Sequence, residues 1–414
     1  MRVLWFEITT PNLYERTNTV LGGWQDSLED VIKTEKEVDL YVAFPSKVLQ
    51  DRKLVGGVTY IPLQLKYSLF EKIQDLFTWN VFRDKLLKQC LTVIEDVKPD
   101  IIHVFGTEYP YGLISCQTKI PVVLHIQGAI IPYHNAYYPP SYNNYSMFFL
   151  QFPNIIRQMY VWIKSRKEKT RVKLEESVWK SVSYFMGRTN WDKAIVYCNN
   201  PQSYYFHVDE VLRPAFYSIS KRWDVKEGRQ LKLLTIGIGT FWKGPDLIVK
   251  TANVLKQLNV SFEWNVAGEI RVDVKTVVEK KEAKRFEDNN VNILGYEDAD
   301  NLIELILSST MLIHTAYIDN SPNSICEAQM LGLPIISTKV GGIDSLIDSG
   351  VNGILIPAND PWRLAYEILS LANNNDKLKL MSENAQVVAA KRHDRRIVKS
   401  QLMNCYHSIL QMRR

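Results

Sequence analysis

Two acidic residues, eight positions apart, flank the start of a predicted helix. Asp319 and Glu327 lie in the stretch DNSPNSICEAQMLGLPIISTKVGG, residues 319–342. The Pro, Asn and Ser at 322–324 are typical of a helix start, where backbone N–H groups and the positive end of the helix dipole attract an anion such as a diphosphate. We predict that Glu327 accepts hydrogen bonds from the paired hydroxyls of a ribose, and Asp319 from those of a hexose.

The turn between the two acids adds polar groups that would bind the same ligand. These predicted donor-binding residues are Asn320, Ser321, Asn323 and Ser324. Packing between the apolar runs 311–317 and 333–338 explains the apolar face of the helix. It gives no reason for two acids, a polar turn and the pair Gly341-Gly342 in one short segment.

Lys243 lies in the sequence FWKG, just after the strand-like run LLTIGIG. A helix start is an unfavourable place for a cation, because the positive end of the dipole repels it. A departing diphosphate, in contrast, needs a preorganised positive charge. We therefore predict that Lys243 binds the diphosphate.

The segment 319–342 resembles the signature of retaining glycosyltransferases of family 4, with Asp319 in place of the first of two Glu residues. Gly22-Gly23, Asp100 to His103, Lys243-Gly244 and Gly341-Gly342 also occur in the family's order. The resemblance implies an α/β chain of the GT-B fold, with two Rossmann-like domains facing across a cleft and a C-terminal helix that crosses back to the first domain. It also implies that Lys243 is the family's phosphate-binding lysine.

The distribution of apolar runs independently predicts two α/β halves. Short β-like runs alternate with helical ones from the start of the chain, and the same pattern begins again at Lys232. We predict an acceptor-binding domain at 1–205, a nucleotide-sugar-binding domain at 206–390 and a returning helix at 391–414, with the linker inside 199–228.

Two positions depart from the family pattern. The family places an Arg five positions before the lysine, where this chain has Ile238, and we predict that Arg188 replaces it. The alternative is an i,i+4 pair between Arg188 and Asp192. The family often ends the fourth strand of the first domain in His-Gly, where this chain has Gln127, with His125 two residues earlier. His125 is either a substitute contact to the donor sugar or a structural residue, and the structural role is favoured for His103.

Several residues at predicted strand ends complete the candidate site. We expect donor contacts from Gly22, Gly23, Gly239, Gly268, Gly295 and Tyr296, and acceptor contacts from Trp24 and Glu108. No metal and no cofactor are expected, since the acids of DAD at 298–300 lie at a predicted helix start and serve there as caps. Lys243 and the helix dipole would neutralise the diphosphate instead.

Composition limits the class of protein. With 414 residues, 46% apolar and 23% charged, the chain is an ordinary globular protein of two domains. Five scattered cysteines argue against a disulfide framework or a zinc site, and the opening residues predict a strand rather than a signal peptide. A net charge of +5 gives no reason to expect nucleic-acid binding. We predict a cytosolic protein.

One basic segment suggests a membrane. Six of the ten residues from Lys164 to Lys173 are basic, and they follow an aromatic-rich stretch that begins at Phe148. Such a pattern fits either peripheral contact with the cytoplasmic membrane face, or a lipid-linked phosphate, or a solvated charged helix.

The sequence thus predicts a metal-independent retaining hexosyltransferase. It would move a hexose from a UDP- or GDP-sugar to a glycan or lipid-linked glycan acceptor in surface polysaccharide biosynthesis. Two alternatives remain open at this point: a nucleotide-sugar-binding protein without transfer activity, and a GT-B epimerase acting on the nucleotide sugar alone.

Overall fold

The computed structural model describes residues 1–15, 23–46, 50–150, 155–225, 228 and 230–412, without the side chains of 76, 145, 146, 148, 155–158, 160–162 and 164–166. Its strands are β1 (Arg2–Phe6), β2 (Asp39–Ser46), β3 (Lys53–Val55), β4 (Val58–Gln64), β5 (Ile101–Phe105), β6 (Val122–His125), β7 (Tyr184–Gly187), β8 (Tyr204–His207), β9 (Leu231–Ile236), β10 (Phe262–Ala267), β11 (Val291–Gly295), β12 (Met311–His314), β13 (Ile335–Thr338) and β14 (Ile354–Ile356).

Helices alternate with these strands in both halves of the chain. They are α1 (Asn12–Glu15), α2 (Gly23–Ile32), α3 (Leu69–Thr78), α4 (Asn80–Val97), α5 (Ile130–Asn135), α6 (Asn144–Leu150), α7 (Ile155–Ser181), α8 (Asn190–Asn199), α9 (Ala215–Ser218), α10 (Pro245–Gln257), α11 (Val272–Glu282), α12 (Ala299–Ser308), α13 (Asn323–Leu331), α14 (Pro361–Ala372), α15 (Asn375–Arg392) and α16 (Arg395–Met412). Short 3₁₀ turns lie at 110–116, 241–243, 287–289 and 343–345.

The first sheet has the strand order β3-β4-β2-β1-β5-β6-β7-β8. All neighbours are parallel except β3 and β4, which form an antiparallel hairpin. The residues of β5 are apolar apart from His103, and all five are buried, as expected for a parallel strand covered on both faces. The chain leaves β1 and β5 in opposite directions along the sheet, so the loops after these two strands meet at a topological switch point.

The second sheet is parallel throughout, with the order β11-β10-β9-β12-β13-β14. Its switch point lies between β9 and β12, because the chain moves from β9 toward β10 on one side and from β12 toward β13 on the other. The loop after β9 carries Lys243, and the loop after β12 carries Asp319. Strand order alone therefore brings the two predicted groups to one edge of the sheet.

The two sheets confirm the predicted α/β architecture of the GT-B fold. The chain forms two compact units, the first made of 1–131, 159–211 and 393–414, and the second of 132–158 and 212–392. The predicted boundaries at 205 and 390 differ from these by a few residues. The larger difference is the segment 132–158, which the sequence analysis placed in the first domain and which packs in the second unit.

Helix α16 lies in the first unit, so the chain returns to its first domain as the resemblance implied. Tyr406 fixes this return. Its hydroxyl accepts a hydrogen bond from the Trp5 indole at 2.9 Å and lies 2.7 Å from Nδ1 of His103. His103 is buried, and burial lowers its pKa to about 3, so this histidine is a neutral part of the core.

The sequence analysis missed β3, β4, β8 and β14, and it extended several strands into the loops that follow them. All five cysteines are free, as predicted. None of the described helices is long and apolar enough to cross a bilayer.

Three acids lie near the first switch point, of which Glu7 and Glu29 are buried and Asp26 is half-buried. Glu7 follows β1, and Asp26 and Glu29 lie on α2, where the hydroxyl of Tyr60 donates to Glu29 at 2.5 Å. Burial raises the pKa of Glu29 to about 7; the hydrogen bond from Tyr60 opposes the rise, Asp26 adds to it, and Lys33 and Asp30 act more weakly. Burial also raises the pKa of Asp26 to about 6 and that of Glu7 well above its ordinary value.

These carboxyls predict a pH-dependent stability. Their pKa values are raised by folding, so the stabilisation is complete below the ordinary carboxyl range and is lost as the pH rises through about 6 to 7. Glu29→Gln should remove part of that loss, raising the free energy of unfolding at pH 8 by roughly 2 kcal/mol while changing it little at pH 5. Urea unfolding at both pH values measures this. Glu95→Gln, at an exposed position, is the control, and equal effects at both pH values would contradict the prediction.

Candidate functional site

Asp319 is the centre of the candidate site. It lies in the loop after β12, and its carboxylate is buried. Oδ2 accepts from Nζ of Lys243 at 2.6 Å and from Nε2 of His314 at 3.0 Å. Oδ1 accepts from the backbone N–H of Asn320 at 3.1 Å and from the Tyr133 hydroxyl at 3.4 Å. The structure therefore brings together the two predicted residues, Lys243 and Asp319, and adds two more.

This set of partners keeps Asp319 ionised. Burial alone would raise its pKa, but the charge of Lys243 and the hydrogen bond and charge of His314 outweigh burial and hold the pKa well below its ordinary value. An ionised carboxylate only accepts, so Nε2 of His314 carries the hydrogen. Nδ1 of His314 is 3.0 Å from the Ser337 hydroxyl, which fixes the ring plane.

Two glycines let the backbone close tightly around these side chains. Gly341 has φ +52°, and a Cβ there would lie 1.9 Å from the carbonyl oxygen of Asp319. The next residue, Gly342, donates its N–H to that same oxygen at 3.0 Å. At the lysine, Gly244 has φ +72° and a Cβ would lie 2.0 Å from the Thr315 carbonyl. The glycines noted in the sequence thus hold the loop of Lys243 and the loop of Asp319 in place.

Helix α13 begins four residues after Asp319. Pro322 occupies the N-cap position, and no side chain among the described residues caps this helix. Asn320 and Ser321 are buried beside Asp319, while Asn323 and Ser324 are half-buried on the first turn. This uncapped helix start, beside an ammonium group, is suited to bind an anion.

Glu327 is buried one turn inside α13 and binds an arginine that the sequence analysis overlooked. Arg213 donates to it in a bidentate pair, Nε to Oε1 at 2.7 Å and Nη2 to Oε2 at 2.8 Å. Burial raises the pKa of Glu327, and the hydrogen bonds and charge of Arg213 offset only part of that rise. The bidentate pair uses one lone-pair direction on each oxygen, and the other directions remain for hydroxyl donors.

An aromatic cluster lies beside Lys243. The rings of Tyr133 and Tyr137 contact Trp242 at centroid distances of 6.2 and 5.4 Å, and Tyr138 contacts Phe241 at 5.6 Å. Phe241, Trp242 and Lys243 form the 3₁₀ turn that precedes α10. Residues 132–158 therefore join the second unit through this cluster, and their aromatic content gave a signal that could have been read in the sequence.

The remaining predicted residues of the second unit lie at or just after strand ends, and they differ in their contacts and exposure. Gly268 and Gly295 end β10 and β11 and are joined by a backbone hydrogen bond of 2.6 Å. Gly239 lies in the loop after β9, where a Cβ would approach the Glu269 carbonyl at 3.1 Å. Tyr296 is exposed. Their assignment to donor binding stays a prediction.

In the first unit, β6 ends at His125, so Gln127 lies beyond the strand. His125 is buried against the rings of Trp24 and His103, and its two nitrogens have no hydrogen-bond partner among the described residues. Burial, then His103 and Arg188, lower its pKa well below the ordinary value. His125 is therefore a neutral, enclosed side chain. Its contact with a sugar stays a prediction, as does that of the half-buried Gln127.

Arg188 is buried, and its side chain contacts several groups of the first unit. Its guanidinium lies 4.6 Å from the Trp24 ring centroid, Nη2 donates to the Gln127 carbonyl at 3.2 Å, and Nε is 4.0 Å from Glu210. Asp192 accepts from the backbone N–H groups of Arg188 and Thr189, the latter as part of the capping box of α8. Burial raises the pKa of Asp192, and the charge of Arg188 opposes that rise. Replacement of the arginine missing at Ile238 stays a prediction.

The two predicted acceptor residues flank the first switch point. Trp24 lies in the first turn of α2, next to Gly23, which begins that helix with φ +58°. Burial raises the pKa of Glu108 to about 7, with Glu175 adding to the rise and Arg171 and Arg188 opposing it. Gly22 lies outside the described residues.

One of the two acids of DAD, Asp298, serves as a helix cap, as predicted. Asp298 is the N-cap of α12 and accepts from the backbone N–H of Asn301 at 2.8 Å. Its role in the fold is therefore explained by the helix alone.

Part of the chain that contains this site is similar to known glycosyltransferases. Residues 219–388 match the model of glycosyl transferases group 1. The match covers Lys243, Asp319 and Glu327. Among curated relatives, an uncharacterized glycosyltransferase of Methanocaldococcus jannaschii is 28% identical over 173 residues, 41% of this chain and 43% of the relative. The amylovoran biosynthesis glycosyltransferase AmsK of Erwinia amylovora is 24% identical over 34% of this chain and 36% of the relative.

The chain spans less than half the length of these curated relatives. Solved structures agree over nearly the whole chain. Sucrose-phosphate synthase from Thermosynechococcus elongatus has a TM-score of 0.74 at 12% identity, with 99% of both chains covered. HepE from Anabaena, solved with UDP and glucose, has a TM-score of 0.65 at 15% identity and covers 99% of this chain and 100% of its own. These structures share the fold.

The Arg213–Glu327 pair can be tested by stability. Arg213→Met leaves a buried carboxylate without its partner, which should cost about 3 kcal/mol in the free energy of unfolding at pH 7. Adding Glu327→Gln should recover part of this loss, because a neutral amide needs no counter-charge. Urea unfolding of both variants gives the measurement. Arg52→Met, which breaks an exposed pair with Asp96, should cost nearly nothing, and a similar small cost for Arg213→Met would contradict the pairing.

Proposed function

We propose that this protein is a retaining glycosyltransferase of family 4 that moves a hexose from a nucleotide-diphosphate sugar to a glycan or lipid-linked glycan. The observation that carries the proposal is the contact of Lys243 with Asp319, four residues before the uncapped start of α13. A cation, a helix start and a sugar-binding acid lie together in one unit. Such an arrangement fits a ligand with a diphosphate beside a sugar.

In the proposed reaction the bond between the sugar C1 and the diphosphate oxygen breaks, and a nucleoside diphosphate leaves. Lys243 and the N–H groups at the start of α13 stabilise the charge that develops on that oxygen. The acceptor hydroxyl attacks C1 from the face that the diphosphate leaves. Its proton passes to the departing phosphate oxygen, so no separate base is required.

The other residues hold the donor. Asp319 accepts from hexose hydroxyls, with its orientation fixed by His314 and Tyr133. Glu327 accepts from the ribose hydroxyls through the oxygen lone pairs that Arg213 leaves open. The acceptor is assigned to the first unit, where Trp24 and Glu108 are the proposed contacts. The cytosol stays the predicted compartment.

Relatives narrow the choice of donor and product. A further structure of HepE holds UDP-glucose, and AmsK and the putative colanic acid glycosyltransferase WcaL of Salmonella typhimurium are named for polysaccharide biosynthesis. The HepE complex supports a UDP-hexose as the proposed donor, and the two curated names support a surface polysaccharide as the proposed product.

The decisive test is release of nucleoside diphosphate from a panel of UDP-, GDP- and ADP-hexoses. Wild-type protein should hydrolyse one donor slowly, and NMR should show a free sugar with the anomeric configuration of the donor. Lys243→Met should lower the turnover number by about 10²- to 10³-fold, the usual loss when one transition-state donor is removed. Lys256→Met, at an exposed lysine of the same unit, should leave the turnover number unchanged.

The outcomes separate the alternatives. Donor binding in a thermal-shift assay without nucleoside diphosphate release would indicate a binding protein. Isomerised donor without release would indicate an epimerase. Inverted product configuration would contradict the retaining mechanism while leaving the transferase intact.

We also propose that the reaction needs no metal ion, since Lys243 and α13 supply the positive charge and the acids at 298–300 include the cap of α12. Turnover after exhaustive treatment with EDTA should therefore equal that of untreated protein within about twofold. The measurement is nucleoside diphosphate release before and after readdition of Mg²⁺ or Mn²⁺. A loss with EDTA that either ion reverses would contradict the proposal.

A further inference from the structure

Helix α3 presents its apolar side chains to solvent. Leu69, Phe70, Ile73 and Phe77 are 77%, 75%, 51% and 40% exposed. At about 100° per residue these four positions fall within an arc of roughly 100°, so they form one continuous stripe. Surface helices normally bury such a stripe against their own core.

The polar side of α3 is the side that packs. Glu71 closes a capping box with Ser68 and its Oε2 accepts from Nζ of Lys85 at 2.7 Å. Oδ1 of Asp75 accepts from the backbone N–H of Phe82 at 3.1 Å, and Oδ2 lies 4.0 Å from Nζ of Lys167. The acids are held inward by α4 and α7, and the orientation of the helix is therefore fixed with its apolar stripe outward.

The outward stripe carries no acid. Its flanks are Lys72 and Gln74, and Lys72 and Lys66 are exposed. Residues 61–90 contain five basic and three acidic residues, and two of those acids, Glu71 and Asp75, are paired with lysines. The surface that surrounds the stripe is therefore positively charged.

Helix α7 extends the positively charged surface around the stripe. The contact between Asp75 and Lys167 places α3 beside the basic segment 164–173. At the C-terminal end of α3, Trp79 stacks on Phe82 at 4.9 Å, and Arg171 lies 4.9 Å from the Trp79 ring centroid. Bulky apolar residues above a belt of Trp, Lys and Arg are typical of helices that lie in a bilayer interface.

We propose that α3 is a membrane-docking helix, which inserts Leu69, Phe70, Ile73 and Phe77 into the headgroup region of a bilayer that contains anionic lipids. A bilayer accepts a convex helix without a matching groove, and anionic headgroups complement Lys66 and Lys72. The basic segment predicted from the sequence is then the flank of this surface. The apolar stripe of α3 is its centre. The inference does not depend on the transferase chemistry.

Co-sedimentation of the full-length protein with vesicles tests the proposal. Wild-type protein should pellet with phosphatidylcholine vesicles that contain phosphatidylglycerol, and less with phosphatidylcholine alone. The double variant Phe70→Glu with Ile73→Glu should weaken binding to both kinds of vesicle, by at least about tenfold on the anionic ones. Lys72→Glu should weaken only the binding to anionic vesicles, and added salt should reduce its difference from wild type.

The matched control is Leu380→Glu with Val387→Glu, which adds the same charges at exposed apolar positions of α15. It should bind vesicles as wild type does. Melting temperatures establish that each variant is folded, and the Ser variants of Phe70 and Ile73 replace the Glu variants should these melt early. Donor hydrolysis should be unchanged in all of these variants. Vesicle binding therefore tests the membrane proposal, and donor hydrolysis separately tests the transferase assignment.

Three results would overturn the inference. The first is the absence of wild-type protein from the pellet with every kind of vesicle. The second is pelleting of the Phe70 and Ile73 variant to the same extent as wild type. The third is a wild-type dimer in light scattering that the variant converts to a monomer, with no vesicle binding. That last result would identify a second copy of this chain as the partner of the stripe.

Discussion

One buried negative charge organises the candidate site. A carboxylate at position 319 is stable inside the second unit only because an ammonium, an imidazole N–H and a backbone N–H surround it. These partners come from the loop after β9, from the end of β12 and from the loop after β12. The parallel order of the second sheet places those segments at one edge. The strand order of the sheet therefore brings together the groups that stabilise the charge of Asp319.

The same constraint explains the glycines. Two loops that exchange an ion pair must approach to within van der Waals contact of each other's backbone. A side chain at 341 would overlap the carbonyl of Asp319, and a side chain at 244 would overlap the carbonyl of Thr315. Gly341 and Gly244 thus have a geometric reason that holds whatever the ligand, and their presence in the sequence is evidence for the closeness of the loops rather than for any direct contact with a phosphate.

Short sequence patterns predicted the local features of the structure, namely strands, helix starts and caps. The apolar runs predicted most strands of both sheets, the polar turn at 322–324 predicted the start of α13, and the position of the acids at 298–300 predicted a cap. The partners of buried charged residues were harder to predict from the sequence. Nothing in a linear sequence pairs Arg213 with Glu327, since 114 positions separate them, and His314 resembles any other residue of a buried strand.

Longer-range placement failed for two segments. Residues 132–158 follow β6 in the chain, and a boundary drawn from periodicity assigns them to the first domain; their tyrosines instead pack on Phe241 and Trp242. The stripe on α3 was missed for a related reason. Apolar residues at helical spacing are read as a buried face, and only the inward contacts of Glu71 and Asp75 reveal that this helix is turned the other way.

The charges of the candidate site balance before any ligand binds. Lys243 neutralises Asp319, and Arg213 neutralises Glu327, so these four groups carry no net charge without a ligand. A diphosphate would add negative charge to a site whose cations are already engaged. We infer that Lys243, which has three N–H donors, holds Asp319 and a phosphate oxygen together. The rest of the compensation then falls to the start of α13, because the position where the family has an arginine holds the buried, uncharged Ile238.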